Sequence, residues 1–545
     1  MPPQLLRLPT RRLLQTPLPL LRRPVRRYYS TPPAARNSSW TTTRALSLAA
    51  ATGGAVYAFL SWRDGAGIKR EKDVGGEEEG VTARTREKPV YGSLVDMKNA
   101  LGEIRTVLGE DGVTTDDEVL RQHGYSEWST TNVDVLPIAV VFPRSTEEVA
   151  AVAKVCWKYR VPMIPYSGGS SLEGHFSAPF GGISIDFTHM DKIVKFNEDD
   201  MDVVVQPAVS WMQLNEDIKD SGLFFPVDPG PTAKIGGMVG TNCSGTNAVR
   251  YGTMKDWVVN LTVVLADGTI MKTKRRPRKS SAGYNLNGLF VGSEGTLGII
   301  TEITLKLAVI PQQTTVAVVT FPTIRDAAAA ASRVMRAGVP VAAMEIMDEV
   351  QMEVVNRSGF TGRKWKEVPT LFFKFSGTKA GVLDNISVVK KITKRHEAQD
   401  FELARNEEEG KMLWSARKES LWSMLAMRKG NEEVWSTDVA VPLSRMADLI
   451  EISKSDLTSL AMFASVLGHI GDGNFHASIL YDKHRPEDVE KVKRVVKKMV
   501  ERALEMEGTC TGSEESGIGD HNSDLVVMML IVYLKVRTEL ASSGL

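Results

Sequence analysis

Cysteine is scarce in this 545-residue chain: there are three, Cys156, Cys243 and Cys510, far apart and in no CxxC pattern. That scarcity excludes a disulfide framework and a cysteine-built zinc site, and it leaves free thiols. Net charge is also missing. Lysine and arginine number 67 against 66 acidic residues, +1 overall, so no global field argues for a nucleic acid or an acidic partner. Acid is absent from one stretch altogether. Between Met1 and Arg63 there is no Asp or Glu, while Arg7, Arg11, Arg12, Arg22, Arg23, Arg26, Arg27, Arg36 and Arg44 punctuate a Leu-, Ser- and Thr-rich sequence. Such a segment is drawn inward by membrane potential, and residues 1–44 read as a mitochondrial presequence. Apolar runs are short. Uncharged residues 45–62, with Tyr57, Phe59 and Trp62 at the far end and Arg44 and Arg63 as flanks, just reach the roughly 17–25 residues of a spanning helix, so an inner-membrane anchor is expected there ahead of the alternative, a longer targeting leader. The charged, glycine-rich residues 63–90 then form a linker. The remainder is too long for one hydrophobic core and predicts at least two folded domains.

Glycine is plentiful, and its placement organises the first of these. Residues 137–143 (PIAVVFP) read as a buried strand, and Ser145 with Glu148 as a capping box. Val149, Val152, Ala153, Cys156 and Trp157 give helical spacing, and residues 163–165 a second strand. The unit delivers Tyr166, Ser167, Gly168, Gly169, Ser170, Ser171 and Leu172 at a strand end. Paired glycines followed by serines let successive N–H groups turn inward, a nest that suits a phosphate, although a Gly-Gly pair after a strand is more often a plain turn. Further glycines cluster after the Asp228-Pro229-Gly230-Pro231 segment, at Gly236, Gly237, Gly240 and Gly245, and again at Gly292, Gly295 and Gly298. They imply close approach by something flat or by another backbone.

Beyond Pro311 the pattern changes to an α+β region. Residues 315–321 and 371–375 read as strands, 324–338 as an alanine-rich helix and 487–507 as an amphipathic helix with Val489, Val492, Val496, Met499, Val500 and Ala503 inward. Two constellations there carry chemistry. His469 and His476 flank a glycine-permitted turn, where neutral imidazoles can share one divalent ion, Zn²⁺ being a natural candidate; equally, each can be a structural histidine. Arg417, in Trp414-Ser415-Ala416-Arg417-Lys418-Glu419, can grip a carboxylate with its planar fork or serve as a solvated helix charge.

The ordered blocks YSGGSSLEG, DPGP, IGGM, NAVRYGT and GSEGTLGI resemble the FAD domain of the vanillyl-alcohol oxidase flavoprotein class, and within it the mitochondrial D-lactate dehydrogenase (cytochrome) group, over about residues 96–519. The resemblance implies an α+β protein with a PCMH-type FAD-binding domain (residues 91–310) and a ferredoxin-like α+β cap (residues 311–520). It implies non-covalent FAD, with its pyrophosphate on Ser167 through Leu172. Tyr166, Pro229, Gly236, Gly237, Asn242, Gly245, Gly252, Glu294, Gly298 and Ile300 would border the cofactor. No GxGxxG opens a helix after the first strand, so the arrangement is not a Rossmann one. Arg417 inherits the substrate carboxylate; His469 and His476 inherit a metal with a downstream glutamate. Relatives acting on D-2-hydroxyglutarate carry a lysine where Ser436 stands, which favours a small monocarboxylate such as D-lactate over a dicarboxylate. Cytochrome c is the implied electron acceptor.

The chain departs from that pattern near its end. Aligning on Gly517-Ile518-Gly519 leaves Glu515 for the metal-binding carboxylate but puts Ser516 where the group carries a histidine base, and residues 521–545 form an atypical tail. A serine cannot act as that base unaided.

Overall fold

The computed structural model describes residues 90–511, apart from residues 127, 128, 130, 131, 172 and 173. The presequence, the 45–62 anchor, most of the linker, Leu172, Glu515, Ser516 and the tail beyond residue 520 lie outside the described residues. No helix among the described residues is long and apolar enough to cross a membrane.

Residues up to 310 build two main sheets. The strands Val113–Thr114, Ala139–Val141, Ile183–Asp186 and Met163–Tyr166 lie side by side in that order, the last three parallel. The two strands joined by the helix Thr146–Tyr159 are therefore not direct neighbours: Ile183–Asp186 runs between them, and the glycine-rich loop leaves from an edge strand. The capping box expected at Ser145 forms only in half. Ser145 Oγ accepts the Glu148 N–H at 3.2 Å, but the Glu148 carboxylate reaches one residue further back, to the Arg144 N–H at 2.7 Å. The second sheet is antiparallel, in the order Ile193–Asn197, Asp202–Val205, Ile299–Lys306, Val258–Val264, Ile270–Lys272.

After residue 310 the described strands form a nine-stranded antiparallel sheet whose centre is Gln313–Thr320, Thr370–Gly377, Val341–Met347, Ala464–His469 and Asn474–Asp482. Side chains alternate across each strand, so its two faces take different partners. Met344, Ile346, Leu371, Phe373 and Phe375 point to one face, under the helices Ile324–Arg336, Lys379–Arg395, Met446–Ser459 and Pro486–Glu505. Val316, Val318, Met347 and Phe372 point to the other, against Leu413 and Ala416 of the helix Glu407–Lys418. The long helix Pro486–Glu505 buries Val495 along with most of the residues its spacing suggested, while Val489 is half-buried at its start.

Candidate active site

The cofactor candidates sort into a cavity wall and its supports. Tyr166, Ser167, Gly236, Gly237, Glu294, Gly298 and Ile300 line one cavity, together with His175, Phe187, Gly240, Thr241 and Gly295. Ser167 Oγ accepts the Gly237 N–H at 3.1 Å, joining the loop after Met163–Tyr166 to the short helix Ile235–Gly240. A Cβ built on Gly240 meets nothing within 4 Å and would project into open space, so this wall leaves room for a flat ligand. Gly168, Gly169, Ser170 and Ser171 continue the loop. Pro229, Asn242, Gly245 and Gly252 are not among the lining residues. At the last two, glycine is required by the protein itself: a Cβ on Gly245 would lie 2.3 Å from the Asp228 carbonyl oxygen, and one on Gly252 would lie 2.2 Å from Asp256 Oδ2. Asn242 is a staple, its Oδ1 accepting from Thr253 Oγ1 at 3.1 Å and from the Lys255 N–H at 3.0 Å.

The second cluster sits on the sheet face that carries Phe372. Glu345, between Met344 and Ile346 in Val341–Met347, must turn to that face, where it is 1% exposed. Its Oε1 lies 2.9 Å from His469 Nδ1 and its Oε2 accepts from Arg417 Nε at 2.8 Å, so one buried carboxylate fixes both groups. Arg417 reaches it from the last turn of Glu407–Lys418. That helix is capped by Asn406 Oδ1 on the Glu409 N–H (2.9 Å), with three glutamates in its first turn to match the helix dipole. With Nε engaged, the paired Nη edge of Arg417 is left for a second anion.

The two histidines share a hairpin. Leu467 pairs with His476, and His469 lies two residues beyond Leu467 on the same face. The rings meet edge to face with centroids 5.6 Å apart. His476 Nδ1 lies 3.1 Å from the Thr437 carbonyl oxygen. Both Nδ1 atoms are thus occupied, and among the described residues neither Nε2 has a hydrogen-bond partner, the arrangement in which outer partners orient metal-binding imidazoles. Among the described residues no third His, Cys, Asp or Glu completes a metal cluster.

Charge states follow from burial and neighbours. Burial raises the Glu345 pKa, but His469 and Arg417 outweigh it and hold the carboxyl below its ordinary value. Burial opposes charge on His469, yet Glu345 lifts its pKa above normal; burial lowers that of His476, favouring the neutral ligand form. Asp472, on the intervening turn, is pushed up to about 6, mainly by burial.

Three residues of this cluster escape motif reading. Glu345 leaves one signal, a lone carboxylate in the fully buried strand Val341–Met347. Lys374 interrupts the aromatic run of Thr370–Gly377 in the same way; its Nζ sits 4.4 Å from the Trp414 ring centre, and burial lowers its pKa against the pull of Asp228 and Glu345. Asp228 was legible only as part of a turn, yet it accepts from Thr246 Oγ1 at 2.7 Å and the Asn247 N–H at 2.9 Å. Arg250, in the same block, donates to the carbonyl oxygens of Pro340 (3.0 Å) and Ser376 (2.8 Å), so the flavin-side segment is tied to the ends of the nine-stranded sheet.

The class is that of the FAD-linked oxidoreductases, to which the matches of this chain assign it. Residues 137–274 match the FAD binding domain family, and residues 310–526 match the C-terminal domain of FAD linked oxidases. The solved 4-ethylphenol oxidase from Gulosibacter chungangensis shares the fold, with a TM-score of 0.65 at 18% identity over 77% of this chain and 90% of its own. p-Cresol methylhydroxylase superposes with a TM-score of 0.63 at 18% identity, covering 76% of this chain and 89% of that one.

More particularly, the chain belongs to the family of the mitochondrial D-lactate dehydrogenase (cytochrome). It is 44% identical over 473 residues to that enzyme of Kluyveromyces lactis (85% of this chain, 81% of the relative). To the Arabidopsis thaliana enzyme it is 46% identical over 422 residues, 77% of this chain and 74% of the relative. The glycolate oxidase subunit GlcD of Bacillus subtilis is more distant, at 31% identity over 74% of this chain and 86% of the relative.

Proposed function

We propose that this protein oxidises D-lactate to pyruvate in the mitochondrion and passes the electrons to cytochrome c. The observation that carries the reading is the Glu345 bridge, which sets a carboxylate-binding guanidinium and a metal-competent imidazole at fixed positions in one cluster. The identity to relatives named for that reaction supports the substrate and the acceptor. Residues 91–310 hold FAD and residues 311–520 hold the substrate; residues 1–44 direct import and residues 45–62 tether the enzyme to the inner membrane.

Each residue has a task in that reading. The Nη edge of Arg417 binds the substrate carboxylate in a two-point grip, which leaves the C2 substituents only one orientation. Nε2 of His469 and of His476, with Glu515, hold a divalent ion, Zn²⁺ by donor type, whose chemistry is to lower the pKa of the substrate hydroxyl. Bound FAD would supply the hydride acceptor for the C2 hydrogen, and the hydroxyl proton would pass to solvent water, since Ser516 cannot take it. Glu345 offsets the positive charge gathered by Arg417 and the histidines, so the site is not saturated with cations before the substrate arrives. Ser436, on the strand Glu432–Ser436 beside Asn474–Asp482, offers no charge to a second carboxylate, which favours a short monocarboxylate.

The test is anaerobic. Protein reconstituted with FAD and mixed with D-lactate is expected to lose its visible flavin absorbance, while L-lactate and D-2-hydroxyglutarate leave it. Bleaching by D-2-hydroxyglutarate and not by D-lactate would sink the assignment.

A further inference from the structure

His175 is the one histidine in the cavity wall, and the activity proposed above gives it no task. It follows the glycine-rich loop and has a partner at each ring nitrogen, a hydrogen bond on one side and an ion-pair contact on the other. Nδ1 lies 2.5 Å from Ser171 Oγ, in the loop itself, and Nε2 lies 3.2 Å from Glu294 Oε1, on the opposite wall. Glu294 is held where it is by backbone. Its φ is +53°, in the left-handed region, and its N–H donates to the Gly240 carbonyl oxygen at 3.0 Å. Next to it, a Cβ on Gly295 would lie 2.8 Å from Pro165 Cγ, so this turn packs directly on the strand that launches the loop. Ser171, His175 and Glu294 thus link residues 167–171 and His175 with the turn of residues 292–298, and that turn bonds to Gly240 of the third wall.

A carboxylate in this position is a liability. Glu294 lines the same cavity as Ser167, Gly236 and Gly237, the surface suited to a dinucleotide's pyrophosphate, and like charges at close range repel, here against partial screening because the Glu294 side chain is 46% exposed. On the reading that this cavity holds FAD, we infer that His175 is a positioning residue whose contact with Glu294 draws that carboxylate away from the pyrophosphate and makes the wall compatible with the dinucleotide. Ser171 completes the device by orienting the ring from the loop side. The role is electrostatic as well as mechanical, and this separates it from an ordinary structural clasp.

The experiment is a double-mutant cycle on the full chain stripped of cofactor, read by FAD titration followed by flavin fluorescence. His175→Ala is expected to raise the Kd for FAD at least tenfold. In a Glu294→Gln background the same substitution is expected to change Kd less than threefold, because the charge that His175 controls is gone. His175→Gln, which keeps a donor for Glu294, is expected to stay within threefold of the parent, and it replaces the alanine variant if circular dichroism shows the latter unfolded. Equal losses in both backgrounds, an alanine variant that binds FAD as tightly as the parent, or a folded glutamine variant that loses tenfold would each overturn the inference. A parent protein that fails to bind FAD would overturn the cofactor reading itself, an outcome distinguishable from all of these.

Discussion

Gly471 lies against Val249: a Cβ added to the glycine would come within 2.4 Å of the valine Cγ2. The turn between His469 and His476 is therefore seated on the segment of residues 245–252. Gly471→Ala must push the two apart, at an overpacking cost of about 1–3 kcal/mol. The expected outcome is a lower midpoint of chemical unfolding and a reduced kcat with D-lactate, while FAD remains bound. Unchanged turnover would show that this contact does not set the distance between the histidine turn and the cofactor.

Glu345 satisfies two partners from inside the fold. Glu345→Ala strands the Arg417 guanidinium, whose side chain is only 13% exposed, and breaking a buried pair in that way costs about 3–5 kcal/mol. Glu345→Gln keeps the shape and part of the hydrogen bonding, so it is expected to lose less stability yet to impair turnover through misplaced Arg417 and His469. Thermal unfolding and steady-state kinetics on the two variants separate these effects. Equal melting temperatures for Glu345→Ala and the parent would contradict the burial argument.

Arg417→Lys retains charge but loses the planar fork. A point ammonium cannot make the two-point contact, so KM for D-lactate is expected to rise at least tenfold with FAD affinity unaltered. Substrate titration of flavin bleaching measures it. A KM within twofold of the parent would remove Arg417 from substrate binding.

Much of this architecture is legible in the sequence because its signals are local. Gly236 and Gly298 announce close approach, Ser145 announces the start of the helix Thr146–Tyr159, and the valines of the 486–505 helix repeat at its period. What is not legible depends on chain-distant pairing. Glu345 becomes meaningful only when Val341–Met347 lies beside Ala464–His469, a neighbour more than a hundred residues away. The parallel placement of Ile183–Asp186 between two helix-linked strands is likewise a decision of the whole sheet. Gly245 and Gly252 show the converse: the residue type is readable, but whether a ligand or the chain's own carboxylates occupy the space is settled by packing.

Thiol chemistry gives a last test, of burial in the cofactor half. Burial pushes the thiols of Cys156 and Cys243 up to about 12; Cys156 lies on the buried face of the helix Thr146–Tyr159, and Asp228 adds to the effect at the half-buried Cys243. A thiol with that pKa is thiolate to a fraction on the order of 10⁻⁴ at pH 8, and the thiolate is the reactive form. Iodoacetamide at pH 8 is therefore expected to leave both unmodified in the folded protein and to label both in denaturant, as peptide mass spectrometry would show. Raising the pH towards 10 increases the thiolate fraction about a hundredfold, so any labelling of folded protein should appear first at that end of the range. Because Cys243 adjoins Asn242, whose side chain staples its segment to Thr253 and Lys255, rapid labelling of Cys243 at pH 8 in folded, FAD-loaded protein would mean that this support opens in solution.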